Sequence, residues 1–355
     1  MIRPGPLNSI TDVAGISVGQ AEDRDLLTGV TAVVAAEPAV AAASVMGGAP
    51  GTRAVSILGG AETETRVDAV VLSGGSAFGL DACGGAMEAL RARGRGFAIG
   101  DVHVPIVPGA IIFDLMTGGA KGWAAPPWHR LGRMAVEVAS AEVALGNAGA
   151  GIGARAGGLK GGVGTASYTD GTVTVGAIAV VNAIGSAVMP GSRRFWAWPF
   201  EEGVEFGGLG PPAEAPGAAR FQLKMPMSAG DGGRQMEGCG DADRRGTMES
   251  TTLAVVATDA ALTRAETGRL AVMAQDGMAR AVYPVHGPLD GDTIFALSTG
   301  AGEAAEGLAG LTRLGTLAGD CVARAIARGV FAADAIAGLP GWSSLAEDGT
   351  VLDDG

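Results

Sequence analysis

Cysteine is scarce in this chain and poorly spaced for bonding: Cys83, Cys239 and Cys321 are odd in number, far apart and form no CxxC pair. That excludes a disulfide framework and a thiolate-built structural metal site, and it fits a reducing compartment. Histidine is equally rare, with three residues, and His103 has no cluster of ligand-type side chains beside it, so no metal is expected. Positive charge is in deficit. The chain has 25 Lys+Arg against 37 Asp+Glu, a net charge of −12, which argues against nucleic acid and anionic membranes as partners. Long apolar runs are missing too. The longest are interrupted by Asn and Gly well short of the ~20 residues of a membrane span, and residues 1–12 carry no hydrophobic segment of a secretory signal. The expectation is a soluble, cytoplasmic protein.

What the chain has in excess is glycine, 61 of 355 residues, without a collagen-like period or a repeated unit. In that number glycine reads as tight turns and close backbone approaches in a compact fold. A 47% hydrophobic composition suffices for a large core, in one big domain or two modest ones. Apolar, β-branched runs predict strands at residues 30–34, 67–72, 173–181, 294–297 and from 251 onward. Helical periodicity marks residues 77–93, 134–145, 260–281 and 311–328, and the tail after Gly338 reads as frayed.

Three glycine-rich turns suggest phosphate or nucleophile chemistry and fall short of it. Met46-Gly47-Gly48-Ala49-Pro50-Gly51-Thr52-Arg53 lacks the Gly-Lys-Ser/Thr ending of a phosphate loop. In Ser73-Gly74-Gly75-Ser76 a nucleophile elbow would need glycine two residues beyond Ser76, where Phe78 stands, so Ser76 reads as a helix N-cap. Along residues 157–167 a Walker-type loop would need lysine where the chain has Thr165, so nucleotide binding is rejected and no cofactor is expected.

Lys160 remains in that loop, either as a solvated lysine or as a cation amid closely approaching backbone. Asn182 ends a long strand, where an amide is costly to bury without partners; it caps the turn or donates to a substrate oxyanion. Asp290-Gly291-Asp292 is a turn signal, and two carboxylates bracketing a glycine at a strand start also suit orienting an ammonium or a hydroxyl. Residues 189–249 differ in character. Pro, Gly and Arg are frequent, Trp196 and Trp198 flank Ala197, and periodicity is poor, which reads as a long irregular insertion with a partner-contacting aromatic patch.

The stretch around which the rest is organised is Met248-Glu249-Ser250-Thr251-Thr252-Leu253-Ala254-Val255-Val256-Ala257-Thr258-Asp259. A polar loop turns here into a buried strand, with two threonines at the junction. Taken alone, Thr251 and Thr252 are most simply strand-start residues, since Thr is common in strands. The other reading makes Thr251 a nucleophile on a rigid scaffold. With no base beside it in sequence, cleavage of the preceding peptide bond would supply its own α-amine as the base.

Several ordered motifs together resemble the L-aminopeptidase/D-esterase (DmpA) family, which includes β-aminopeptidases and the nylon-oligomer hydrolase. They are Ile10-Thr11-Asp12-Val13-Ala14-Gly15-Ile16, Gly48-Ala49-Pro50-Gly51-Thr52-Arg53, Leu72-Ser73-Gly74-Gly75-Ser76-Ala77-Phe78-Gly79-Leu80 and Val104-Pro105-Ile106-Val107-Pro108. Further on come Lys160-Gly161-Gly162-Val163-Gly164-Thr165-Ala166-Ser167, Val181-Asn182-Ala183, Val255-Val256-Ala257-Thr258-Asp259 and Pro288-Leu289-Asp290-Gly291-Asp292-Thr293.

The resemblance implies an α/β (α+β) fold, a four-layer αββα sandwich like that of N-terminal-nucleophile hydrolases. It implies a single domain over residues 1–355 that cleaves itself into 1–250 and 251–355 and assembles as a homo-oligomer, often a tetramer. It assigns Thr251 as nucleophile, Asn182 as oxyanion donor, Lys160 as the active-site lysine of the nylon-hydrolase branch, and Asp290 and Asp292 as that branch's acidic pair. The residue before the nucleophile departs from the family, with Ser250 in place of the usual Asn, Gly or Asp. The implied substrate is an amide or ester with a free amino end, whether α-peptide, β-peptide, D-amino acid ester or ω-amino oligomer. Two rival readings share the scaffold: acyl transfer to an amine of the ornithine acetyltransferase kind, and a catalytically silent binding protein.

Overall fold

One strand of eighteen residues ties two sheet layers together in the computed structural model, which describes residues 1–59, 66–214 and 250–352. The chain opens with β1 (Ile16–Asp23), β2 (Thr28–Val45), β3 (Thr52–Arg53) and β4 (Arg66–Ser73), followed by helix α1 (Ala82–Ala92). A small hairpin, β5 (Phe97–Ile99) and β6 (Val102–Val104), precedes β7 (Gly109–Ile111) and α2 (Trp128–Glu137). A second small pair, β8 (Arg155–Ala156) and β9 (Leu159–Lys160), leads into β10 (Val163–Thr169) and β11 (Thr174–Asn182). Then come β12 (Thr251–Thr258), α3 (Arg264–Ala281), β13 (Thr293–Ser298) and α4 (Gly307–Phe331).

Strand order is β10-β11-β12-β13-β2-β4-β7-β3, with β1 also on β2. The first half of β2 pairs with β1 and β4 and its last six residues pair with β13, so β2 belongs to both layers. The crossing point is Ala36-Glu37-Pro38, which is exposed and where the β2–β4 register shifts between Val34 and Ala39. Pro38 has no N–H to give a ladder, and an unpaired bulge lets the strand bend from one layer to the next.

Period-two alternation then sorts the side chains. Val33, Val70, Ile178, Leu253, Val255, Phe295 and Leu297 meet in a core between the two layers. The alternate residues Ala177, Ala254, Val256 and Ile294 face α3 and α4, and Val30, Ala32, Val34, Ala69 and Val71 face α1 and α2. The result is the αββα sandwich. Every residue of β12 is buried, as expected of a strand covered on both faces.

Five local expectations need correction. The helix expected from residue 77 starts with a 3-10 turn, Ser76–Asp81, and α1 begins only at Ala82. Ser76 is not an N-cap: it lies at φ 53, and Gly75, at φ 87, takes the capping position without any side-chain bond. A Cβ at Gly75 would stand 2.1 Å from the Trp128 ring, so the turn is set by packing and not by capping.

The helix expected at 134–145 is instead α2, Trp128–Glu137; its buried stripe is Trp128, Leu131, Ala135 and Val136, and residues 140–144 are drawn off to β1 by the Ser140 and Ala144 backbone bonds. The tail is not frayed as far as it is described. Trp342 and Leu345 are buried, and the Trp342 ring packs on Phe195 and Phe331. Finally, α3 starts at Arg264, behind a Thr263–Glu266 capping box that fixes the start four residues after the expected one.

Residues 190–214 are irregular apart from a 3-10 turn at Trp198–Phe200, and they are anchored: Phe195 and Phe206 sit in the core under α4, and Glu205 accepts from the buried Arg324. The rest of the insertion, with the 241–249 loop and Cys239, lies outside the described residues. No helix among the described residues is long and apolar enough to cross a membrane.

Candidate active site

Thr251 is the first residue of β12 and stands directly opposite Asn182, the last residue of β11. It is 4% exposed. Its hydroxyl turns back on its own peptide bond, with Oγ1 2.5 Å from the Ser250 carbonyl oxygen. That same carbonyl accepts the Gly291 N–H at 2.8 Å, and Ser250 N–H donates to Leu289 O. Gly291 must be small. A Cβ there would lie 2.6 Å from Thr251 Oγ1 and 3.0 Å from the Ala49 carbonyl.

The 287–292 loop is held in place from two sides. Met46 and Ala49 donate backbone N–H groups to the carbonyls of Asp292 and Asp290, and Gly47 lies so close that a Cβ would sit 2.3 Å from the Asp292 nitrogen. The glycine loop at 46–51 therefore has a packing role, as a second wall behind the acidic turn.

Asp290 and Asp292 are both buried at 1% exposure. Asp290 accepts from the Gly287 N–H at 2.8 Å and from the Ile184 N–H at 3.4 Å. Burial, and then the negative charge of Asp292, push its carboxyl up to about 6. Asp292 accepts from the Thr252 N–H at 2.7 Å and from the His286 N–H at 2.9 Å, and its Oδ2 lies 2.9 Å from His286 Nδ1. One carboxylate thus braces the turn after Asn182, and the other braces the backbone immediately after Thr251.

Lys160 ends β9, in the separate two-stranded β8–β9 pair. It is fully buried, and its Nζ donates to the carbonyls of Gly151 at 2.6 Å and Gly161 at 2.7 Å. Burial lowers it to about 7, opposed by the charge of Asp114; the solvated-loop alternative for this residue is excluded. Asn182 links β11 to that pair. Its Oδ1 accepts the Arg155 N–H at 3.0 Å, and its Nδ2 donates to the Phe113 carbonyl at 3.2 Å. The polar cost of burying this amide is met on both ends.

The geometry thus gathers Thr251, Asn182, Asp290 and Asp292 around one strand end, with Lys160 behind Asn182. Sequence reading passed over Asp114, Gly291 and His286. Asp114 had a visible signal: it is the one charge in the apolar run Gly109-Ala110-Ile111-Ile112-Phe113-Asp114-Leu115-Met116, where an ionisable group is rarely buried without a partner.

The chain matches Peptidase family S58 over residues 8–343. It is 43% identical over 359 residues to an uncharacterized aminopeptidase of Mycobacterium tuberculosis, covering 96% of this chain and 98% of the relative. It is 26% identical over 308 residues to a 6-aminohexanoate-oligomer endohydrolase of a Kocuria species, covering 81% and 74% of the two chains.

Among solved structures it is similar to a Burkholderia beta-aminopeptidase, with TM-score 0.65 and 22% identity over 96% of this chain and 91% of that one. It is also similar to the L-aminopeptidase D-Ala-esterase/amidase of Ochrobactrum anthropi, with TM-score 0.64 and 21% identity over 93% and 88%, whose fold is described as a variant of the Ntn hydrolase fold. With a sandwich of that kind and a family match across nearly its whole length, this chain belongs to peptidase family S58, the DmpA-type aminopeptidases, and is an amidohydrolase.

Proposed function

We propose that this chain is a self-processing N-terminal-threonine hydrolase acting on amides or esters next to a free amino end. The observation that carries the reading is the placement of Thr251 Oγ1 against the Ser250 carbonyl, which is itself held by the Gly291 N–H. In the precursor the hydroxyl attacks the Ser250 carbonyl carbon, the C–N bond to Thr251 breaks, and an ester on Oγ1 replaces the amide. Water hydrolyses that ester, leaving Ser250 as a carboxylate and Thr251 with a free α-amine. The Gly291 N–H is placed to meet the charge that develops on the carbonyl oxygen. The products are residues 1–250 and 251–355, assembled as a homo-oligomer, with a tetramer as the expected form and the cytoplasm as the expected location.

In the mature enzyme the Thr251 amine takes the hydroxyl proton. An α-amine titrates near pH 8 in the free state, close to neutral as a general base should be. Lys160, lowered to about 7 by burial, keeps part of its charge near neutral pH, and that charge disfavours a protonated amine. Asn182 donates to the tetrahedral oxyanion, a contribution of about 3 kcal/mol in acyl transfer. Asp290 and Asp292 orient the strand start and attract the ammonium of the substrate. The names of the relatives, aminopeptidase and 6-aminohexanoate-oligomer endohydrolase, support an amine-bearing substrate.

The intact mass of purified protein tests the reading, together with the N-terminal sequence of the small fragment and assay on aminoacyl p-nitroanilides. Two chains, the smaller beginning Thr-Thr-Leu, and release of nitroaniline are expected. An active preparation in which residues 250 and 251 remain joined ends the proposal. Transfer of the acyl group to an added amine in preference to water marks an acyltransferase instead.

A further inference from the structure

Ser250 is held by both of its backbone groups. Its N–H donates to the Leu289 carbonyl at 3.3 Å, and its carbonyl accepts the Gly291 N–H at 2.8 Å. This is a parallel β-bridge, with Asp290 as the residue opposite. The receiving stretch is itself fixed from behind. The Ala49 N–H donates to the Asp290 carbonyl at 2.8 Å, and a Cβ on Gly47 would lie 2.3 Å from that same oxygen. The 289–291 backbone therefore has little room to retreat.

The side chain of Ser250 is enclosed as well. The residue is 1% exposed, and its Oγ has no hydrogen-bond partner among the described residues. Leaving a buried hydroxyl unpaired is unfavourable, so the niche around it matches serine in size and not in chemistry. An alanine methyl fits the same space and has no polar atom to satisfy.

Self-cleavage, as proposed above, passes through an ester between the Ser250 carbonyl carbon and Thr251 Oγ1. Turnover passes through an ester between the substrate's acyl carbon and the same oxygen. We propose that Leu289, Asp290 and Gly291 form the acyl subsite of the mature enzyme, that Ser250 is its template, and that the group it takes is an α-aminoacyl residue with a side chain no larger than that of serine.

Once Ser250 has left as a carboxylate, the Gly291 N–H receives the substrate carbonyl and the Leu289 carbonyl receives an N–H of the substrate amine. The bond from Oγ1 to the acyl carbon forms as the substrate C–N bond breaks. The hydroxyl proton passes through the Thr251 amine to the leaving amine, and water then releases the amino acid. In an α-aminoacyl group a single carbon separates amine from carbonyl, as it does in residue 250. A β-aminoacyl group carries its amine one C–C bond further along, and a 6-aminohexanoyl group four, past a carbonyl that cannot follow. The subsite exists only if cleavage occurs between residues 250 and 251, and it selects one substrate class from those that cleavage alone leaves open.

Rates of the mature full-length protein on L-alanyl, L-leucyl, L-phenylalanyl, β-alanyl and 6-aminohexanoyl p-nitroanilides test the subsite. In kcat/KM the L-alanyl substrate should exceed the β-alanyl and 6-aminohexanoyl substrates by about tenfold or more, and the L-leucyl and L-phenylalanyl substrates by a similar factor. Smaller or inverted ratios on either comparison, in protein that has cleaved and releases nitroaniline, overturn the subsite and leave the hydrolase reading intact. A preparation in which residues 250 and 251 stay joined overturns both.

Discussion

Asn182 and Thr251 are register partners across the antiparallel β11–β12 pair, at the end where both strands leave the sheet. A cross-strand pair sits about 5 Å apart at Cβ, so the amide and the hydroxyl address the same small volume. The Asn182 amide is held at both its oxygen and its nitrogen by backbone, so its direction is fixed before any substrate arrives. Asn182→Ala should lower kcat by about 10²–10³ with a smaller change in KM, as expected when a donor aimed at an oxyanion is lost. Leaving the Arg155 N–H and Phe113 carbonyl unpaired should also cost about 1–3 kcal/mol of stability. Circular dichroism on the same samples separates the two effects, and an unchanged kcat in folded protein removes Asn182 from the reaction.

Thr251 variants test the proposed processing step directly. Thr251→Ala lacks the oxygen proposed to attack and should run as a single 35.0 kDa chain without amidase activity. Thr251→Ser keeps the hydroxyl and should still divide into fragments of about 25 and 10 kDa, the 250:105 proportion of the whole. Cleavage of the alanine variant at the same bond would show that another group attacks.

The alternation of apolar residues made the strands legible in sequence, because β10 to β13 are buried on one face by α3 and α4 and on the other by the second layer. The helix starts were less legible. In residues 76–81 the backbone is set by a tertiary contact, the Trp128 ring against Gly75, and no local propensity reports a neighbour fifty residues away. The acidic turn illustrates the limit from the other side. Asp-Gly is an ordinary turn signal, and only the register of β12 with β13 brings Gly291 onto the Ser250 carbonyl. Asp114 was missed for a related reason: its partners Thr28 and Gly75 are separated from it by 86 and 39 positions, and burial is what links them.

Asp290 gives a pH dependence with a definite sign. Its folded carboxyl is pushed up to about 6 from an ordinary 3.8, so between those values the folded chain holds a proton that the unfolded chain has released. Stability from this group therefore falls as pH rises through that window. Activity should move the opposite way, falling on the acid side below about pH 6 as the carboxylate that braces the turn after Asn182 is neutralised. Asp290→Asn should flatten both slopes and lower activity at neutral pH. Retention of the acid limb of the rate profile in that variant would assign it to another group.

Lys160 should produce a slope of the reverse sign at higher pH. A free lysine titrates at 10.5, and in the folded chain burial lowers this one to about 7. Above pH 7 the folded chain has therefore given up a proton that the unfolded chain keeps until 10.5. The unfolded state binds more protons across the interval, so stability contributed by this group rises with pH there and is least below pH 7. Lys121, also lowered mainly by burial, adds a term of the same sign. Urea midpoints measured from pH 7 to pH 9.5 should climb in the wild type and climb less in Lys160→Met, whose side chain carries no proton to release. Met is close to lysine in volume and leaves the carbonyls of Gly151 and Gly161 without their donor, so its midpoint at pH 9.5 should fall below that of the wild type. Equal slopes in the two proteins would mean that Lys160 keeps its proton in the fold, and the lysine would then be a fixed cation and not a titrating one.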